Sequence, residues 1–153
     1  MVPYDREKAA RVMQRVRETA TPPADTVQDT NGLKALIADA HTAATVYLHL
    51  SRHFTGEEAA MLRKMSQQAQ SHAACLKGIY TLLTGQKLPL KSVSPVQGAK
   101  EAILRRCYLQ ALRSADAYEA RQNDPEYGGV FTQLAKDQRQ HCKQILSLLG
   151  NLK

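Results

Sequence analysis

The sequence predicts an all-α fold: four long amphipathic helices packed as a bundle, with a short additional helix before them. Three observations carry this expectation. Apolar residues recur at alternating steps of three and four along four separate stretches, the heptad-like seam of a helix facing a bundle core. Two of the breaks between stretches are short and rich in turn and cap residues, which makes their flanking helices antiparallel neighbours. The third break is long and contains prolines, so it can run from one end of the bundle to the other.

Length and composition agree. The 153 residues suffice for one domain with an ordinary core. With 43% hydrophobic and 23% charged residues and no long apolar run, the chain reads as soluble and globular, with no membrane partner expected. The opening MVPYDREKAARVM is charged throughout and lacks the apolar core of a signal peptide. Cys75, Cys107 and Cys142 form an odd set without Cys-x-x-Cys spacing. Free thiols and a cytoplasmic location are therefore expected. Tryptophan is absent and only two phenylalanines are present, so Leu, Tyr and small residues must fill the interior, as close-packed helices allow. The net charge of +7 is spread along every helix, with no basic run longer than Arg105-Arg106. That distribution argues against a nucleic-acid surface.

Taken in order, residues 4–20 place Ala9, Val12, Met13, Val16 and Ala20 at helical spacing opposite a basic face. Thr21-Pro22-Pro23 reads as a stop, and a polar linker to about Asn31 follows. Residues 1–30 thus form an N-terminal amphipathic helix and linker, and residues 31–153 form the bundle. The first bundle helix, from about Asn31 to Phe54, has the seam Leu33, Ile37, Ala40, Ala44, Tyr47, Ser51, Phe54. Thr55-Gly56-Glu57-Glu58 is a turn with the form of a capping box. The second helix carries Leu62, Met65, Ala69, His72, Leu76, Ile79 and Leu83, and Gly85 ends it. Residues 86–98 can cover about 40 Å when extended, comparable with a helix of about 25 residues. The third helix, about Ala99 to Gln122, therefore runs parallel to the second. Its seam is Leu104, Tyr108, Ala111, Ala115, Tyr118, Gln122. Asp124-Pro125 is expected to start the fourth helix, which carries Phe131, Leu134, Gln138, His141, Ile145, Leu148 and Leu152.

One feature of the seams points to chemistry. His72 and His141 are polar residues at matched inward positions of the second and fourth helices. Tyr47 and Tyr118 are matched in the first and third, each with an alanine seven residues earlier, Ala40 and Ala111. His72 and His141 each have a residue three earlier on the same face, Ala69 and Gln138. In these residues the stretch 31–152 resembles the bacterial ferritin-like proteins of the rubrerythrin type. That resemblance implies a ferritin-like four-helix bundle of two hairpins joined by a long crossover. It also implies an ancestral di-iron site, with one Glu from each of the first and third helices and a Glu-x-x-His pair from each of the others. By that alignment all four Glu positions are replaced, by Ala40, Ala69, Ala111 and Gln138.

The replacement is physically coherent. Four buried carboxylates without metal repel one another and lose hydration, whereas a neutral interior packs without a metal. Two histidines can persist in such a core when hydrogen-bonded, here expected near Gln138 and the tyrosine hydroxyls. The resemblance thus implies a protein that has lost its di-iron centre, with no cofactor and a non-catalytic binding or structural role as a homodimer. Two alternatives stand beside it. One is a residual single-metal oxidoreductase or peroxide-handling site built on His72 and His141 with Cys75 or Cys142. The other is a DNA-associated role for the basic N-terminal helix. His49 and His53, four apart on the first helix, read as a surface pair, and Asp39 and Asp137 as solvent-facing residues.

Overall fold

The computed structural model describes residues 21–94 and 96–152, with side chains from Thr30 onward. The N-terminal helix expected over residues 4–20, and with it the DNA-binding alternative, lies outside the described residues. Four helices follow one another: α1 Thr21–Ser51, α2 Gly56–Thr84, α3 Lys100–Glu119 and α4 Gly128–Gly150, with no strand among the described residues. No helix among them is long and apolar enough to cross a membrane.

The hairpins form as their turns predict. α1 packs on α2 and α3 on α4, and the two hairpins meet through α1 with α3 and α2 with α4. Thr55, in extended backbone, precedes α2, but its hydroxyl makes no capping bond. Gly85 closes α2 in the left-handed region at φ 73°, its N–H donating to the Thr81 carbonyl at 2.7 Å. A side chain there would meet its own backbone, which is why glycine serves at this position.

Contacts at the two ends fix the direction of each helix. Lys100, opening α3, donates to the His53 carbonyl at 3.2 Å and lies 4.7 Å from the Phe54 ring centroid. Asn151, closing α4, reaches Glu58 at 3.4 Å. At the far end Lys34 lies over Tyr80, and Arg121 over Phe131. α2 and α3 therefore start at the same end, and the segment between them traverses the bundle. Leu88 and Leu90 pack on one end of the core and Val96 on the other. Along the way residues 88–94 face Lys34, Ala38, His41 and Thr42 of α1 across a shallow groove.

Several boundaries differ from expectation. α1 is already helical at Thr21, so the segment from there to Asn31, expected as a linker, is helical. α3 ends at Glu119 rather than Gln122, because Arg121 and Gln122 turn back through bonds to Tyr118 and Glu119. α4 starts at Gly128 rather than at Pro125. Asp124 Oδ1 accepts from the N–H groups of Glu126 and Tyr127, both at 2.8 Å, and holds a separate turn ahead of the helix. Leu83, expected on the seam, is 48% exposed, and Tyr80 is buried instead.

The interior is divided. One apolar cluster gathers Tyr47, Leu50, Leu62, Met65, Leu104, Ile145 and Leu148 near the α1–α2 turn. A second gathers Leu33, Ile37, Leu76, Tyr118, Phe131 and Leu134 at the other end. The polar side chains His72, Gln138 and His141 are buried as well, His141 against Tyr47 of the first cluster and His72 against Tyr118 of the second. They form a polar layer across the middle.

Candidate functional site: the histidine layer

α2 and α4 run side by side in opposite directions, so a residue on one faces a residue a fixed sum away on the other. His72 Nε2 meets Asp137 Oδ2 at 2.9 Å, and His141 Nε2 meets Gln68 Oε1 at 2.8 Å. Gln68 sits one helical turn before His72, and Asp137 one turn before His141. Each histidine is thus held by the residue one turn ahead of the other histidine. The arrangement is a reciprocal clasp with approximate two-fold symmetry.

Aromatic contacts repeat the symmetry. The two imidazoles stack with centroids 6.0 Å apart and planes inclined by 24°. Tyr47 of α1 meets His141 edge-on at 5.6 Å, across the bundle diagonal. Tyr118 of α3 meets His72 edge-on at 6.5 Å across the other. The histidines thus touch the tyrosine rings through their edges and take their hydrogen bonds from α2 and α4, not from Gln138 or the tyrosine hydroxyls as expected.

Carboxylate and amide oxygens accept only, so both Nε2 atoms carry the proton and donate. Asp137 is fixed in turn by Gln133 Nε2, which donates to its Oδ1 at 3.0 Å. Asp137 is therefore half-buried in the clasp, contrary to its expected solvent-facing role. Asp39 is also half-buried, and burial raises its carboxyl above the usual range. The sequence signal for Gln68 and Asp137 was their position one turn before each histidine, on the adjoining face.

Electrostatically the layer is neutral around His141. Burial, then the neighbouring His72, push the His141 imidazole down to about 4. Its Nδ1 is buried without a hydrogen-bond partner, a defect that costs about 1–3 kcal/mol. Burial also raises the Tyr47 and Tyr118 phenols and pushes the Cys107 thiol up to about 12. None of these groups ionises near neutral pH.

The four positions matched to carboxylates, Ala40, Ala69, Ala111 and Gln138, are all buried. They bring no charged oxygen to the layer. Both Nε2 atoms are engaged with protein, and among the described residues no three His, Cys, Asp or Glu side chains are grouped to hold a metal. This donor set does not fit a di-iron centre, which needs carboxylate oxygens to hold and bridge its ions. The structure brings His72 and His141 together. It leaves Cys75 exposed on α2 and buries Cys142 with Cys107 in the apolar cluster beside Tyr47. No family model, curated protein or solved structure matches the chain.

Proposed function

We propose that the chain is a rubrerythrin-type ferritin-like bundle that has lost its di-iron centre and serves as a non-catalytic binding or structural module. The observation that carries this reading is the content of the middle layer. Where such a site would need four carboxylates, three alanines and one glutamine are packed. The histidines that remain are tied to Gln68 and Asp137 rather than held open for metal. The crossover connection and the matched Tyr47/His72 and Tyr118/His141 halves support the ancestry. A metal-free layer of this kind keeps the fold without the chemistry.

The module is proposed to act as a homodimer. Tyr108, Leu109, Leu149 and Leu152 line a groove between α3 and α4, and Leu109 is 54% exposed. The exposed Glu101–Arg105 pair, 2.7 Å apart, stands at its rim. Two copies related by a two-fold axis could exchange these charges across a shared apolar contact. The orphan Nδ1 of His141 is the one observation favouring the metal-binding alternative, since an unpaired buried imidazole nitrogen is a ready ligand.

Anaerobic titration with ferrous and manganous ions separates these readings. The proposal expects no tight binding of either ion and no ferroxidase activity. Two tightly held ions per chain would overturn it. One ion lost on His141→Phe substitution would establish the alternative. Sedimentation velocity with and without Leu109→Glu tests the dimer.

A further inference from the structure

We propose that His49 and His53 form an exchangeable surface site for a borderline divalent transition metal such as copper, nickel or zinc. This site lies at the C-terminal end of α1 and is independent of the histidine layer. The two rings are four residues apart with centroids at 4.9 Å and planes inclined by 54°. α1 ends at Ser51, so spacing alone does not guarantee that His53 stays on the face of His49. The turn that follows secures it. Arg52 N–H donates to the His49 carbonyl at 3.1 Å, and His53 N–H to the Leu50 carbonyl at 2.8 Å. These bonds carry the helical path one step further and bring the second ring back beside the first.

A neighbouring helix holds the turn in place. Lys100 of α3 donates to the His53 carbonyl, and its ammonium lies against the Phe54 ring. The backbone bearing the second imidazole is therefore anchored before any ligand arrives, which lowers the ordering cost of binding. His49 is half-buried and His53 exposed, so the pair is anchored on one side and open to solvent on the other.

The donor set fixes the class of ligand. Two imidazoles on adjacent turns of one face are a chelating pair, the geometry that helical His-x-x-x-His arrangements use for zinc. Imidazole donors suit copper, nickel and zinc, whereas magnesium, calcium and manganese prefer oxygen. Among the described residues no third His, Cys, Asp or Glu joins the pair. The remaining coordination positions therefore go to water, which makes the site a place of capture and exchange rather than a closed structural centre.

The test is calorimetric titration of the full chain, freed of metal by chelator, with zinc and separately with cupric ion. One saturable equivalent per chain in the micromolar range is expected, and nitrogen hyperfine structure from two donors in the cupric spin-resonance spectrum. His49→Gln and His53→Gln should each remove the saturable phase. His41→Gln, on the same helix but facing the crossover, should leave it intact. Absence of saturable binding by the native chain would overturn the proposal. So would binding that survives both substitutions. Circular dichroism of the variants checks that they fold, which is expected since both side chains lie at the surface end of α1.

Discussion

Acid should destabilise this bundle through His141, and the size of the effect follows from its burial. The folded chain holds the imidazole neutral until the pH approaches about 4, whereas an exposed histidine in the unfolded chain takes up its proton near 6.5. The stability this neutrality contributes is fully present above pH 6.5 and is lost as pH falls through the window from 6.5 to about 4. At about 1.36 kcal/mol per pH unit, the loss is about 2 kcal/mol at pH 5 and about 3 kcal/mol at pH 4. Urea unfolding across pH 7 to 4.5 measures it, with His141→Phe as the reference. Phenylalanine fills the ring volume without titrating. The bond it forfeits to Gln68, which is only half-buried and can turn to water, is a cost independent of pH. Native stability minus variant stability should therefore fall by about 2 kcal/mol between pH 7 and 5. Parallel pH curves for the two proteins would refute the assignment of a buried, neutral His141.

Three other outcomes test the packing. A thiol reagent should titrate Cys75 quickly in the native protein, while buried Cys107, its thiol pushed up to about 12, and buried Cys142 react only after denaturation. Rapid reaction of all three would contradict the apolar cluster. Gly128→Ala would drive a Cβ into the Gln122 carbonyl oxygen, backbone that cannot step aside. It should cost about 1–3 kcal/mol in urea unfolding, whereas Gly129→Ala, with open space around it, should be neutral or stabilising by about 0.5–1 kcal/mol. Replacing Ala40, Ala69, Ala111 and Gln138 together by Glu should lower the melting temperature at neutral pH. Ferrous or manganous ions should restore it, and identical melts with and without metal would show that the four positions do not converge on one site.

The bundle was legible because its information is local and repeated. Steps of three and four marked the inward faces, Gly85 and the Thr55 turn marked one hairpin, and the reach of residues 86–98 marked the crossover. Errors arose where a neighbour decides the outcome. Leu83 keeps the seam period, yet it is 48% exposed while Tyr80 is buried. Pro22 and Pro23 read as breakers, yet both lie within the helix described from Thr21. Asp137 was assigned to solvent because it lies off the seam of its own helix. The partner that draws it inward, His72, belongs to another helix and is distant in sequence. Periodicity reports the face a residue occupies on its own helix, not what leans over that face from the next.

The clasp explains what the histidine layer does for the fold. Apolar seams built of Leu, Ile, Met and Ala tolerate sliding, because a heptad repeat shifted by two turns meets similar neighbours. The two bonds of the histidine layer do not tolerate it. Sliding α4 along α2 breaks His72–Asp137 and His141–Gln68 together, since both depend on the same register. Half-buried Gln68 and Asp137 can turn to water, but the buried His72 and His141 would be left among apolar side chains that cannot replace them. A hydrogen bond to a charged group contributes about 1.5–3 kcal/mol and a neutral one about 1 kcal/mol, while a buried polar atom stripped of its partner costs more than the bond was worth. The orphan His141 Nδ1 is the standing cost of placing such groups in the core. In exchange the layer selects one alignment of the two hairpins, a role the apolar clusters on either side are too uniform to perform.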